Sequence, residues 1–170
     1  MRRLAAVISC AIGALSLSGV ALGASAFGVT DDHAKFAQDG GAAFFPMLRD
    51  LGMSENAMTV TWDPASPTAI PEKLFLNRVV PQAAARGVHI IFSVQPKQAA
   101  SITRSFTTAA QFTAFLQQLA TTYPQVTDYV VGNEPNQPRF WQPQFDEAGN
   151  PASSAAAIPT GRYAFGRTGR

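Results

Sequence analysis

The chain has 170 residues, one cysteine and nearly balanced charge, with 13 lysines and arginines against 11 aspartates and glutamates and a formal net charge of +2. The small excess comes from the two ends: without Arg2 and Arg3 the charge is 0, and without Arg162, Arg167 and Arg170 as well it is −3. No basic patch is left to bind nucleic acid or another acidic polymer, so no nucleic-acid partner is expected.

The first residues do not look like part of a fold. Arg2-Arg3 is a short positive segment, Leu4 to Leu22 is apolar, and Ala24-Ser25-Ala26 supplies a small-x-small cleavage site before Phe27. This is the pattern of a secretory signal peptide over residues 1–26. The apolar run approaches the ~20 residues that span a bilayer, but its Ala/Gly/Ser composition and the cleavage site favour removal over an uncleaved anchor. The expected location is therefore secreted or extracytoplasmic, with no membrane association after cleavage. Cys10 leaves with the signal, so the mature chain has no thiol and must be held by its core alone.

From Phe27 onward, short apolar runs alternate with helical stretches, as in βα units that build a parallel sheet. Phe27 to Thr30 reads as a first strand ending in Asp31-Asp32, followed by a helix from Ala42 to Leu51 that Gly52 closes and whose first turn Pro46 sets. Ala57 to Trp62 is a second strand ending in Asp63-Pro64. A proline-rich loop leads to a helix over 72–86, kinked at Pro81 and stopped by Gly87. Val88 to Val94 is a third strand, apolar except at His89 and Ser93 and expected to be buried on both faces, ending at Gln95-Pro96. Phe112, Phe115, Leu116 and Leu119 mark an amphipathic helix from Thr108 to Thr122, with Thr108 and Gln111 as a capping box. Asp128 to Val131 is the fourth strand. Ser153 to Ala157 resembles a helix start, and residues 158–170 abandon apolar periodicity, reading as a disordered or frameshifted tail.

The fourth strand stops at Gly132, and Asn133-Glu134-Pro135 follows at once. The bland alternative is a polar turn that caps the strand. The chemical alternative is a carboxylate delivered to the C-terminal end of a parallel strand, where barrel enzymes keep their catalytic groups. A glutamic acid beside an amide suits glycosidic-bond cleavage, in which a carboxylic acid protonates the leaving oxygen.

Gly132-Asn133-Glu134-Pro135 at the end of a fourth βα-type strand, with Trp141 seven residues beyond Glu134, resembles the clan-A glycoside hydrolases of the cellulase-like, family-5 type. These are (β/α)8 barrels, and the likeness covers about 27–157. The resemblance implies a truncated TIM-barrel fold of about four βα units. It also implies hydrolysis of O-glycosyl bonds in a poly- or oligosaccharide with retention of configuration. By this resemblance Glu134 is the general acid/base and Asn133 binds the sugar 2-hydroxyl. The family's nucleophile comes from a seventh strand, and no glutamate follows Glu147, which stands in a short loop. A barrel of this kind takes ~250 residues, so the chain is expected to be an N-terminal half, inactive as it stands.

Several residues are candidate substrate contacts at the same end. Asp32 and Asp63 follow the first two strands, Gln95 ends the third, and Trp62 and Trp141 offer aromatic faces for sugar stacking. Loop capping competes with contact for the aspartates, and ordinary packing competes with stacking for the tryptophans. His33 follows Asp31-Asp32, but no second histidine stands at ligand spacing, so neither a metal nor a cofactor is expected. Two other function classes stay open: a non-catalytic carbohydrate-binding module using the Trp62 and Trp141 region, and a half-barrel that functions only as an oligomer. In the last case self-association would run through the open sheet edges.

Overall fold

The computed structural model describes residues 26–102, 106–132, 134, 137, 140, 142–143 and 145–150. The expected signal peptide at residues 1–26, except for its last residue, and the expected tail at 158–170 lie outside the described residues. Among the described residues no helix is long and apolar enough to cross a membrane.

Four strands lie side by side in chain order and all run parallel: β1 (Gly28–Thr30), β2 (Glu55–Trp62), β3 (His89–Pro96) and β4 (Asp128–Val131). Helices α1 (His33–Phe36) and α2 (Phe44–Asp50) connect β1 to β2, α3 (Lys73–Ala85) connects β2 to β3, and α4 (Phe106–Thr122) connects β3 to β4. This α/β arrangement is consistent with part of a (β/α)8 barrel. The described strands form an open sheet in which β1 and β4 are each paired on one side only.

The helix stops follow from local chemistry. Gly52 (φ +77°) and Gly87 (φ +65°) adopt the left-handed conformation that a helix exit requires. At each, the glycine amide and the one after it turn back onto the last turn: Gly52 to Arg49 and Met53 to Leu48, then Gly87 to Ala84 and Val88 to Ala83. Pro81 stands inside α3, which continues through it. α4 begins at Phe106, so Thr108 lies within its first turn and not at its cap. No proline or glycine between Lys97 and Thr108 forbids the earlier start. His33 opens the one-turn helix α1.

The helices cover one side of the sheet. Along β2 burial alternates strictly: Asn56, Met58, Val60 and Trp62 are buried, while Glu55, Ala57, Thr59 and Thr61 are half-buried. β3 repeats this, with Ile90, Phe92 and Val94 inward to the helices and Ile91, Ser93 and Gln95 on the other side. The expectation that the third strand is buried on both faces is thus corrected: its apolar run reflects one covered face, and among the described residues no second layer covers the other. The core joins Met58, Val60, Trp62, Phe92 and Val94 to Leu76, Val79, Phe112, Phe115 and Leu119. Aromatic rings meet edge-on within it, Trp62 on Phe112 at 5.1 Å and Phe92 on Tyr123 at 5.7 Å between centroids, the geometry that ring quadrupoles favour.

One buried strand position among the described residues is polar. Asn56 is fully buried between Val29 and Ile90 in the sheet register, and neither atom of its amide has a hydrogen-bond partner among the described residues. A buried amide without partners costs about 1–3 kcal/mol. Asn56→Leu, of similar volume, is therefore expected to stabilise the fold by about 1 kcal/mol, read as a rise in melting temperature. A fall would show that the Asn56 amide is engaged.

Candidate functional site

Because all four strands run the same way, their C-terminal ends gather at one end of the sheet. Asp31 and Asp32 follow β1, Asp63 follows β2, Pro96 and Lys97 close β3, and Gly132 and Glu134 follow β4. What each side chain can do there depends on what it already binds.

Asp32 completes the sheet. β1 ends at Thr30 while β2 runs on to Trp62, which leaves the far amides of β2 without a strand to bond. Asp32 Oδ1 accepts the Thr59 amide at 2.8 Å, and Glu72 accepts the Thr61 amide at 3.2 and 3.4 Å. Lys35, only 1% exposed, donates from Nζ to the Thr59 carbonyl at 2.5 Å and pairs with Asp32 Oδ1 at 3.2 Å. Side chains thus replace the missing part of β1. Asp31 is likewise engaged, accepting the His33 amide at 2.6 Å at the start of α1.

Asp63 fastens two strand ends together. Its Oδ1 accepts the Ala65 amide at 3.0 Å and its Oδ2 accepts from Lys97 Nζ at 2.6 Å. The Lys97 hydrogen bond, with the Ala65 amide second, holds the Asp63 carboxyl below the usual carboxylate range. Trp62 is not at the mouth. It is fully buried on the helix-covered side, with Nε1 donating to the Pro67 carbonyl at 3.3 Å. This corrects its expected role in sugar stacking. Alternate strand residues face opposite sides, and Trp62 shares parity with Met58 and Val60, a signal already present in the sequence.

Gln95 faces the open side at half-burial, and no hydrogen bond from its side chain occurs among the described residues. The Gly132 amide donates to the Val94 carbonyl at 2.8 Å, extending the β3–β4 ladder by one bond and setting Gly132 beside Gln95. Gly132 is itself left-handed (φ +76°), and Glu134 adopts φ +37°, the only non-glycine residue with positive φ among the described residues. Glu134 is exposed, and its carbonyl accepts the Gln137 amide at 2.8 Å. Further on, the Gln142 amide donates to the Ala99 carbonyl at 3.2 Å and ties this segment to the loop after β3. Asn133 and Trp141, both expected in the site, lie outside the described residues. No group of three or more His, Cys, Asp or Glu side chains converges as a metal ion would need among the described residues.

Sequence reasoning missed Glu72 and Lys35. Both act through backbone groups of a distant strand, and nothing in their own neighbourhood announces that.

No protein-family model matches the sequence, and no curated protein sequence matches it. Among solved structures, the chain is similar to an endo-1,4-beta-mannanase from Rhizomucor miehei at 11% identity and a TM-score of 0.49. The superposition covers 75% of this chain and 47% of that one. The chain thus spans about half the length of that enzyme.

A non-glycine residue held at positive φ costs about 1–3 kcal/mol, so Glu134→Gly is expected to raise the melting temperature whereas Glu134→Gln leaves it in place. An unchanged or lower melting temperature for the glycine variant would show that the corner is unstrained. The Asp63 pair contributes above the ordinary carboxylate pKa and is lost as pH falls through the lower folded-state value. Lys97→Met is expected to move the Asp63 titration upward in a carboxyl-carbon NMR experiment. An unmoved midpoint would assign the depression to the Ala65 amide alone.

Proposed function

We propose that the chain carries the acid/base half of a retaining glycoside hydrolase of clan-A type, built on the first four βα units of a barrel and acting on a poly- or oligosaccharide outside the cytoplasm. The observation that carries this reading is Glu134. It is an exposed carboxylate at the C-terminal end of a parallel strand, held in a backbone conformation that ordinary residues avoid. Strained residues of this kind cluster at functional sites because the surrounding structure holds them there for a chemical reason. The Gly132-Asn133-Glu134-Pro135 signature supports the same role, with Asn133 binding the 2-hydroxyl of the sugar.

In the proposed reaction Glu134 donates its proton to the glycosidic oxygen as the bond to the anomeric carbon breaks. A second carboxylate, roughly 5 Å away in a retaining enzyme, attacks that carbon, and Glu134 then deprotonates the water that releases the sugar. The described carboxylates nearest this role by topology have other work: Asp31, Asp32 and Glu72 accept backbone amides, and Asp63 accepts from Ala65 and Lys97. The nucleophile is therefore assigned to residues beyond these four, and full turnover to a protein that contains it.

An added small anion tests this division of labour. With unactivated β-1,4-linked oligosaccharides and sodium azide as external nucleophile, the chain is expected to form glycosyl azide. Glu134→Gln is expected to lower that rate by about 100-fold or more, the range for loss of a general acid. Equal rates in the two proteins would remove Glu134 from the reaction.

A further inference from the structure

The side of the sheet that the helices leave open is layered by chemistry. At its N-terminal end it is charged: Glu55 pairs in register with His89, and His89 Nε2 lies 2.6 Å from Asp128 Oδ2. Next comes a row of Ala57 and Ile91, with Asp128 of β4 in register beside Ile91. The last two rows before the mouth carry no charge: Thr59 beside Ser93, with the exposed Val130 of β4 next in register, and Thr61 beside Gln95. A barrel interior packed with side chains favours bulky branched apolar residues in its layers. These two rows depart from that.

Among the described residues the hydrogen-bonding capacity of their side chains is unused. The backbone amides of Thr59 and Thr61 are taken by Asp32 and Glu72, which locks the strand. The side chains of Thr59, Thr61, Ser93 and Gln95 are half-buried and make no hydrogen bond among the described residues. Three hydroxyls and one amide that both donate and accept are thus held on rigid strands. Adjacent strands lie ~4.8 Å apart and same-face residues about 7 Å apart along a strand, so the four side chains frame the footprint of one six-membered ring with its substituents. Gly132 borders Gln95 without a side chain, and Glu134 follows two residues later.

We infer that the Thr59–Ser93 and Thr61–Gln95 rows form the floor of a binding site for a neutral, hydroxyl-rich ring, presented to the corner that carries Glu134. The absence of charge in the floor sets the class of ligand: hydroxyls find donors and acceptors, whereas a uronate carboxylate finds no cation within the rows. The inference rests on the glycoside hydrolase reading and deepens it, assigning substrate contact to residues that are neither carboxylates nor aromatics.

The test is calorimetric titration of the Glu134→Gln protein with neutral β-1,4-linked hexasaccharides of glucose, mannose and xylose, and with a β-1,4-linked hexamannuronate as the charged counterpart. Neutral hexasaccharide is expected to bind and hexamannuronate not to. Thr61→Val and Gln95→Leu, each removing polar atoms at nearly constant volume, are expected to weaken binding about fivefold apiece. Their melting temperatures are expected to hold or rise, because unpartnered polar groups are being removed. Undiminished neutral binding in the Thr61→Val/Ser93→Ala/Gln95→Leu protein would place the sugar elsewhere and overturn this inference while leaving the hydrolase reading intact. Hexamannuronate binding as tight as neutral sugar would overturn the assigned class. A dimer by light scattering that Ser93→Arg converts to monomer would make the rows a subunit contact and also overturn it. Failure of the unmodified chain both to bind any saccharide and to form glycosyl azide would remove the hydrolase reading itself, and this inference with it.

Discussion

The organisation of the C-terminal end depends on how one edge of β2 is closed. β1 is three residues long and β2 is eight, so among the described residues no strand lies beside the last part of β2 on that side. Unpaired amides and carbonyls at half-buried positions are costly, because water no longer serves them fully. Asp32 and Glu72 accept the Thr59 and Thr61 amides, and Lys35 donates to the Thr59 carbonyl. With that edge satisfied, β2 stays in register with β3 along its whole length, from Glu55 opposite His89 to Trp62 opposite Pro96. β3 in turn sets β4, and the amide of Gly132 takes the carbonyl of Val94. The corner bearing Glu134 is therefore placed by a chain of contacts that begins at a short first strand.

The same closure sorts the acidic residues by task. A carboxylate held below its ordinary pKa by an ammonium and a backbone amide is poorly suited to trading protons. Asp63, bonded to Lys97 and Ala65 at the end of β2, is in that position, while Asp32 is occupied by the Thr59 amide and Lys35. Glu134 differs from both. It is exposed, its backbone is strained, and it stands after a glycine that lets the strand turn sharply. Four parallel strand ends thus yield several carboxylates whose roles differ because of what each already holds.

The two sides of the sheet carry different chemistry for an equally simple reason. Successive residues of a strand face opposite ways, so helices landing on one side bury Met58, Val60, Trp62, Phe92 and Val94 and leave their neighbours in the open. Burial of the apolar set against α3 and α4 supplies the hydrophobic stabilisation. The polar set, Thr59, Thr61, Ser93 and Gln95, is then presented on a frame too rigid to collapse onto itself. Asn56 is the exception on the covered side, a polar residue where its parity calls for an apolar one.

Much of this architecture is local and was legible in the chain. Gly52 and Gly87 announce the ends of α2 and α3 because only a left-handed residue lets a helix exit with its last carbonyls bonded. The spacing of Phe112, Phe115, Leu116 and Leu119 marks α4, and the abrupt Gly132 after Val131 marks the end of β4, since both are set by neighbours in sequence. The sequence by itself thus determined the alternation of strands and helices, their order, and the corner that holds Glu134. The tertiary structure alone decided that the third strand has one open face, and that Asp32, Lys35 and Glu72 stand in for a missing length of strand. Those outcomes depend on which side the helices pack and on how far β1 extends along β2. Both are relations between segments about 25 to 60 residues apart, and no local pattern encodes them.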